Sequence, residues 1–233
     1  MVNSPALSPQ NAANNALPPL LVFDFDGTLA DTIETGLTIY NEIAGDFGLK
    51  TVSREEVQTL RNLNTRALLH HLGISRILAV RVVTRIRRQL TKRIDLVQPF
   101  PGTIDAIRTL STDGFRIGIL SSNAAENVKH FLKRHSLLEC FRFVEAGASL
   151  FGKASRLKSL LKAQAESPET CLYIGDETRA IEAARLAGMP SIAVCWGANG
   201  REAMLTEDPA YCVETYDELV EAARDFAARN SGH

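Results

Sequence analysis

The chain has no uninterrupted apolar stretch of the roughly 18 residues that a membrane span requires, so no transmembrane helix is expected. It has no excess of basic charge either. With 26 Lys and Arg against 27 Asp and Glu, it lacks the electrostatic footprint of a nucleic-acid binder. The four cysteines, Cys140, Cys171, Cys195 and Cys212, lie far apart and show neither metal-ligand nor redox-motif spacing. At least three of them fall in strand-like apolar runs, which points to buried thiols in a reducing cytoplasm. Residues 1–19, rich in Asn, Ala, Pro and Ser, lack the basic start and long apolar stretch of a signal peptide and are expected to form a flexible tail. These exclusions leave a soluble cytoplasmic chain, monomer or homodimer, whose 233 residues, 45% of them hydrophobic, can bury a sizeable core.

Short β-branched or aromatic runs recur at 20–25 (LLVFDF), 116–121 (RIGILS), 141–145 (FRFVE), 171–175 (CLYIG), 191–195 (SIAVC) and 211–213 (YCV), with helix patterns between most of them. Near-continuous apolar strands alternating with helices predict an α/β fold, a Rossmann-like parallel sheet with helices on both faces. Residues 31–96 break the alternation, showing helix patterns and no convincing strand. The first pattern carries Ile33, Leu37, Tyr40, Ala44 and Phe47 on one face and stops at Gly48. The second opens at "SREE", where Ser53 and Glu56 form a capping box, and the third runs from Ser75 to about Ile94. The expected organisation is therefore a core of residues 20–30 and 97–233 with an inserted α-helical cap of three or four helices at 31–96, hinged near Ala30–Thr32 and Pro99.

Ligands of such sheets bind at the carboxyl ends of the strands. Asp24 and Asp26 end the first strand in "DFDGT", Ser121 ends the second, Lys153 follows the third in "LFGKAS", and Asp176 ends the fourth in "YIGDET". Ionised carboxylates in apolar surroundings are costly unless paired, hydrogen-bonded or bound to a metal. Three carboxylates beside one lysine and one hydroxyl are unbalanced alone, and a hard divalent cation such as Mg²⁺ together with a phosphoryl group would balance them. Each residue also has a plainer reading: Asp24, Asp26, Ser121 and Asp176 could cap the helices that follow, and Lys158 and Lys162 lie close to Lys153.

In these four motifs, DFDGT (24–28), Ser121 in ILSSN, Lys153 and GDETRA (175–180), the sequence resembles the haloacid dehalogenase-like superfamily of phosphohydrolases, in particular its phosphoglycolate phosphatase-like group. The resemblance implies that Asp24 is the nucleophile, forming an aspartyl-phosphate, and that Asp26 protonates the leaving oxygen and then activates water. It implies a Mg²⁺ site made by Asp24, the main-chain carbonyl of Asp26 and Asp176. Lys153 and Ser121 would hold the phosphoryl oxygens, with Gly27, Thr28, Ser122 and Asn123 lining the substrate pocket. A small phosphorylated metabolite is the implied partner, with no nucleic acid and no membrane. A phosphomutase of the same superfamily, or a weakened phosphate-binding protein, is the alternative.

One position departs from the pattern: many relatives carry a second acid four residues after the fourth-motif aspartate, and here that residue is Ala180. Weakened metal binding is expected, with the adjacent Glu177 as the available substitute. The basic run Arg81, Arg85, Arg87, Arg88, Lys92 and Arg93 could attract an anionic substrate, and is read first as a solvated helix face.

Overall fold

The computed structural model describes residues 18–63, 65–147 and 152–230. All but the last two residues of the expected N-terminal tail lie outside that range. All six apolar runs become strands of one sheet: β1 (Leu20–Phe23), β4 (Arg116–Ser121), β5 (Phe143–Ala146), β6 (Cys171–Gly175), β7 (Ser191–Val194) and β8 (Tyr211–Val213). Two further strands, β2 (Ala30–Asp31) and β3 (Gln98–Pro99), pair with each other. The large sheet is parallel throughout, in the order β5-β4-β1-β6-β7-β8. From β1 the chain builds outward through β4 and β5, then returns to lay β6 on the other side of β1. The reversal creates a crevice at the carboxyl ends of β1 and β6.

Alternation along each strand divides the apolar side chains between two layers. Leu21, Phe23, Ile117, Ile119 and Ile174 pack with α5 (Thr103–Thr112), α6 (Ala125–Arg134) and α10 (Tyr216–Asn230). Leu20, Val22, Leu120 and Tyr173 pack with α7 (Lys153–Gln164), α8 (Thr178–Leu186) and α9 (Arg201–Leu205). Both faces are thus covered, as continuous hydrophobic strands require.

Between β2 and β3 lie α1 (Ile33–Ile43), α2 (Arg54–Leu60), α3 (Thr65–His71) and α4 (Arg76–Thr91). They bury a cluster of their own around Tyr40, Ala44, Val52, Leu60, Ile74 and Val82. Gly48 ends the first helical segment in the left-handed conformation at φ 66°. Ser53 and Glu56 form the capping box, and Ser75 caps α4 through the Leu78 N–H.

Three local details differ from the sequence reading. The first strand stops at Phe23 rather than Phe25, because the Phe25 carbonyl accepts the N–H groups of Thr28, Leu29 and Ala30 and so closes a turn. Both ends of the insertion are extended and pair antiparallel, Ala30 with Pro99 and Asp31 with Gln98, so the segment expected to hold no strand begins in one. Cys195 and Cys212, seventeen residues apart, come together on neighbouring strand ends with Sγ atoms 3.3 Å apart, while all four cysteines remain free thiols. Among the described residues no helix is long and apolar enough to cross a membrane.

Candidate active site

Asp24 leaves β1 and Asp176 leaves β6, so the topology alone sets two carboxylates on either side of the crevice. Both are buried, at 7% and 1% exposure. Asp24 Oδ1 accepts the Phe25 N–H at 2.8 Å, and Oδ2 accepts the Tyr173 hydroxyl at 3.1 Å and the Lys153 ammonium. Lys153 also donates to the Tyr173 hydroxyl at 2.8 Å, while Lys158 and Lys162 point to solvent. Lys153 opens α7, and Tyr173 is fully buried in β6 between two apolar neighbours.

Asp176 accepts the Thr28 hydroxyl on Oδ1 at 2.9 Å and the Ala198 N–H on Oδ2 at 2.8 Å. Gly27 stands against it with φ +71°, where a Cβ would overlap the Asp176 carboxylate, and Gly197 stands against the Asp176 side chain and the Gly27 carbonyl. The glycine of the first motif is thus demanded both by the turn and by the carboxylate beside it. The Thr28 carbonyl is held by the Trp196 indole at 3.1 Å and by the Tyr216 hydroxyl.

Asp26 sits across the same opening. Its carboxylate accepts Asn123 Nδ2 on both oxygens, at 2.9 and 3.1 Å. Asn123 is fixed in turn, since its Oδ1 accepts the Ala124 N–H at 2.7 Å and Asn127 Nδ2 at 2.8 Å, and Asn127 also donates to Thr91 of α4 at 2.9 Å. Asn123 does not cap the following helix, because α6 begins after Ala124 with no side-chain cap. Ser121 is fully buried and its Oγ accepts the Asn123 N–H at 2.9 Å, leaving its own O–H available as a donor. Ser122 accepts Arg87 of α4 at 2.6 Å.

The charges are unevenly balanced. Burial, and secondarily the Asp24 charge, pushes the Asp26 carboxyl up to about 6, against the lowering effect of Asn123. Burial, with repulsion from Glu177 and then Asp24, pushes Asp176 up to about 8. Glu177 does not relieve the missing acid at position 180: it is engaged by two hydrogen bonds from Arg179, which holds it below the usual carboxylate range despite its burial. Ala180 itself is buried among the apolar residues of α8.

A model of the haloacid dehalogenase-like hydrolases matches residues 21–194. The chain belongs to that family. It is 36% identical to the phosphoglycolate phosphatase of Synechococcus elongatus over 202 residues, 87% of this chain and 95% of that one. Phosphoglycolate phosphatase 1 of Pseudomonas aeruginosa is 24% identical, with 91% and 82% of the two chains covered. In fold it is similar to a haloacid dehalogenase-like hydrolase of Streptococcus pneumoniae, with a TM-score of 0.70, 20% identity, and 88% and 97% of the chains covered. A predicted phosphatase of Clostridium acetobutylicum gives a TM-score of 0.76 at 18% identity, covering 90% and 100%.

The donor set of this haloacid dehalogenase-like hydrolase suits a hard cation. Among the described residues no three His, Cys, Asp or Glu side chains form a ready metal cluster. Two buried carboxylates, Asp24 and Asp176, do lie against the backbone of the 24–28 loop, and burial with repulsion from Glu177 opposes the Asp176 charge. Two carboxylates plus a main-chain carbonyl is the sparse oxygen set that Mg²⁺, which retains several waters, accepts.

Sequence reasoning missed Tyr173 and Asn127, and it named Arg87 only as one of a basic run. Tyr173 reads as one more apolar strand residue, and Asn127 and Arg87 lie in helices whose facing cannot be assigned without tertiary contacts.

Proposed function

We propose that this hydrolase is a cytoplasmic, Mg²⁺-dependent phosphatase of small phosphate monoesters, phosphoglycolate or a close analogue, acting through a phosphoryl group carried on Asp24. The observation that carries the reading is the pair of carboxylates at one strand end with unlike surroundings. Asp24 is held by a lysine and a tyrosine, and Asp26, pushed up to about 6, holds its proton to a higher pH than an ordinary aspartate. Such unlike surroundings support one as nucleophile and the other as acid. The likeness to phosphoglycolate phosphatases supports the substrate class.

Asp24 attacks phosphorus, the bond to the leaving oxygen breaks, and the proton on Asp26 passes to that oxygen to release an alcohol. Asp26, now ionised, takes a proton from water as that water attacks the phosphoryl group, and Asp24 is regenerated with release of inorganic phosphate. Mg²⁺ held by Asp24, Asp176 and the Asp26 carbonyl would neutralise charge on the phosphoryl oxygens. Lys153 and the Ser121 hydroxyl bind the same oxygens. The four-helix insertion serves as the cap. It reaches the strand-end loops through Arg61, which donates to the Cys195 carbonyl at 2.6 Å, and through Asn199, which donates to the Arg61 and Leu63 carbonyls. Closure there excludes water from the reacting groups.

Phosphate release from a panel of small esters, with Mg²⁺ or EDTA and with Asp24→Asn as control, tests the proposal. Release that requires metal and vanishes in the variant is expected, and a folded protein that releases nothing at millimolar Mg²⁺ refutes it.

A further inference from the structure

The basic run of α4 does not behave as one solvated face. Arg81, Arg85, Arg88 and Lys92 are exposed, and Arg93 pairs with Glu42 through two hydrogen bonds. Arg87 alone turns under the insertion toward the carboxyl ends of the strands. It is partly buried, and among the described residues its guanidinium makes one hydrogen bond, to the Ser122 hydroxyl at 2.6 Å. Among the described residues no carboxylate lies within ion-pair distance of it, although Asp26, Glu177, Arg179 and Asp24 are the charges it faces.

A partly buried guanidinium with one neutral partner keeps most of its five N–H donors unused, and its fixed fork matches a carboxylate. The neighbouring guanidinium groups are committed elsewhere, Arg179 to Glu177, Arg156 to the Ser121 carbonyl and Arg61 to the Cys195 carbonyl. Ser122 follows β4, which lies beside β1, so a short gap separates the hydroxyl that anchors Arg87 from the loop that carries Asp24. One or two carbons between a phosphate oxygen and an acid group span such a gap.

We propose that Arg87 is a specificity-determining residue that binds a second anionic group of the substrate, a carboxylate one or two carbons from the phosphoryl oxygen. The inference rests on the phosphatase reading above and narrows it: short phosphorylated acids are favoured over neutral esters, sugar phosphates and nucleotides. A residue that merely latches the insertion onto Ser122 would affect all esters alike, and this difference separates the two roles.

The test measures kcat/KM of the full chain with Mg²⁺ for 2-phosphoglycolate and for ethyl phosphate, which has a methyl in place of the carboxylate. In Arg87→Gln the ratio of the two values is expected to fall about 10- to 100-fold, the effect of losing hydrogen bonds to a charged group. Arg87→Lys, which keeps the charge but loses the fork, is expected to give an intermediate ratio, and it carries the test if the Gln variant does not fold. Equal losses on both esters, with an unchanged ratio, overturn the assignment and leave Arg87 as a latch. A wild-type protein inert on both esters refutes the phosphatase reading itself, a distinct result.

Discussion

Replacing Asp176 by Asn is expected to make the metal-free protein more stable. The carboxyl titrates at about 8 in the native protein and near 3.8 when unperturbed. Between those values the unfolded chain has already released the proton that the native state retains, so native stability falls as pH rises through this window and the full penalty is present above it. At about 1.4 kcal/mol per pH unit, the upper bound is roughly 5–6 kcal/mol. Two effects reduce it. The charge is shared with Glu177, and an asparagine in the same place remains a buried polar group, worth about 1–3 kcal/mol if imperfectly paired. The asparagine can accept the Ala198 N–H on its oxygen and donate its amide to a reoriented Thr28 hydroxyl, so both present partners stay satisfied. A net gain of roughly 2 kcal/mol at pH 8 follows, or about 4–8 °C in Tm for a chain of this size. Thermal unfolding in EDTA at pH 5, 6.5 and 8 would show a gap that opens with pH, and added Mg²⁺ would stabilise the wild type and not the variant. A variant less stable than wild type by the same amount at every pH would mean that Thr28 and Ala198 already satisfy the carboxylate, and the case for a cation there would collapse.

Three further outcomes can be checked on the same protein. The rate of alkyl phosphate hydrolysis should decline above about pH 6 as Asp26 loses its proton, and Asp26→Asn should remove that limb and lower kcat by about 10²–10⁴-fold; a profile flat from pH 5 to 8 would argue against the role. Gly27→Ala, which places a methyl group in the Asp176 carboxylate at φ +71°, should lower Tm and abolish stabilisation by Mg²⁺. Tyr173→Phe keeps the packed ring but removes the hydroxyl shared by Asp24 and Lys153; a kcat about tenfold lower with KM little changed is expected, whereas unchanged kcat would make the hydroxyl purely structural.

What is legible in the sequence is whatever its local chemistry declares. Apolar runs between helix patterns mark all six strands of the large sheet, and acids at their ends mark the crevice. The two-residue ladder of β2 and β3 is invisible because so short a strand has no periodicity, although Pro99 and the Ala30–Thr32 break place its ends. The helix Thr65–His71 spans only seven residues, too few to show a clear helical period. Asn123 reads as a pocket residue, and only the tertiary placement of the loop before α6 beside the first loop brings its amide onto Asp26. The six cations from Arg81 to Arg93 are alike in sequence, and which of them faces the strand ends depends on how the helix is rotated against the core. Cys195 and Cys212 need the register of β7 and β8 to become neighbours.

The double grip on the Thr28 carbonyl bears on the order in which the molecule is made. The loop that carries the first motif emerges early from the ribosome, but its backbone is fastened by Trp196 and Tyr216, 168 and 188 residues downstream. Contacts of such long sequence separation form late, because the intervening chain must first be gathered. A nascent chain that stops short of Tyr216 therefore holds the first motif in a loop not yet fully fastened, and the pocket is finished when the closing helix docks. A truncation just before Tyr216 removes no motif residue and still leaves the first loop without one of its two clamps.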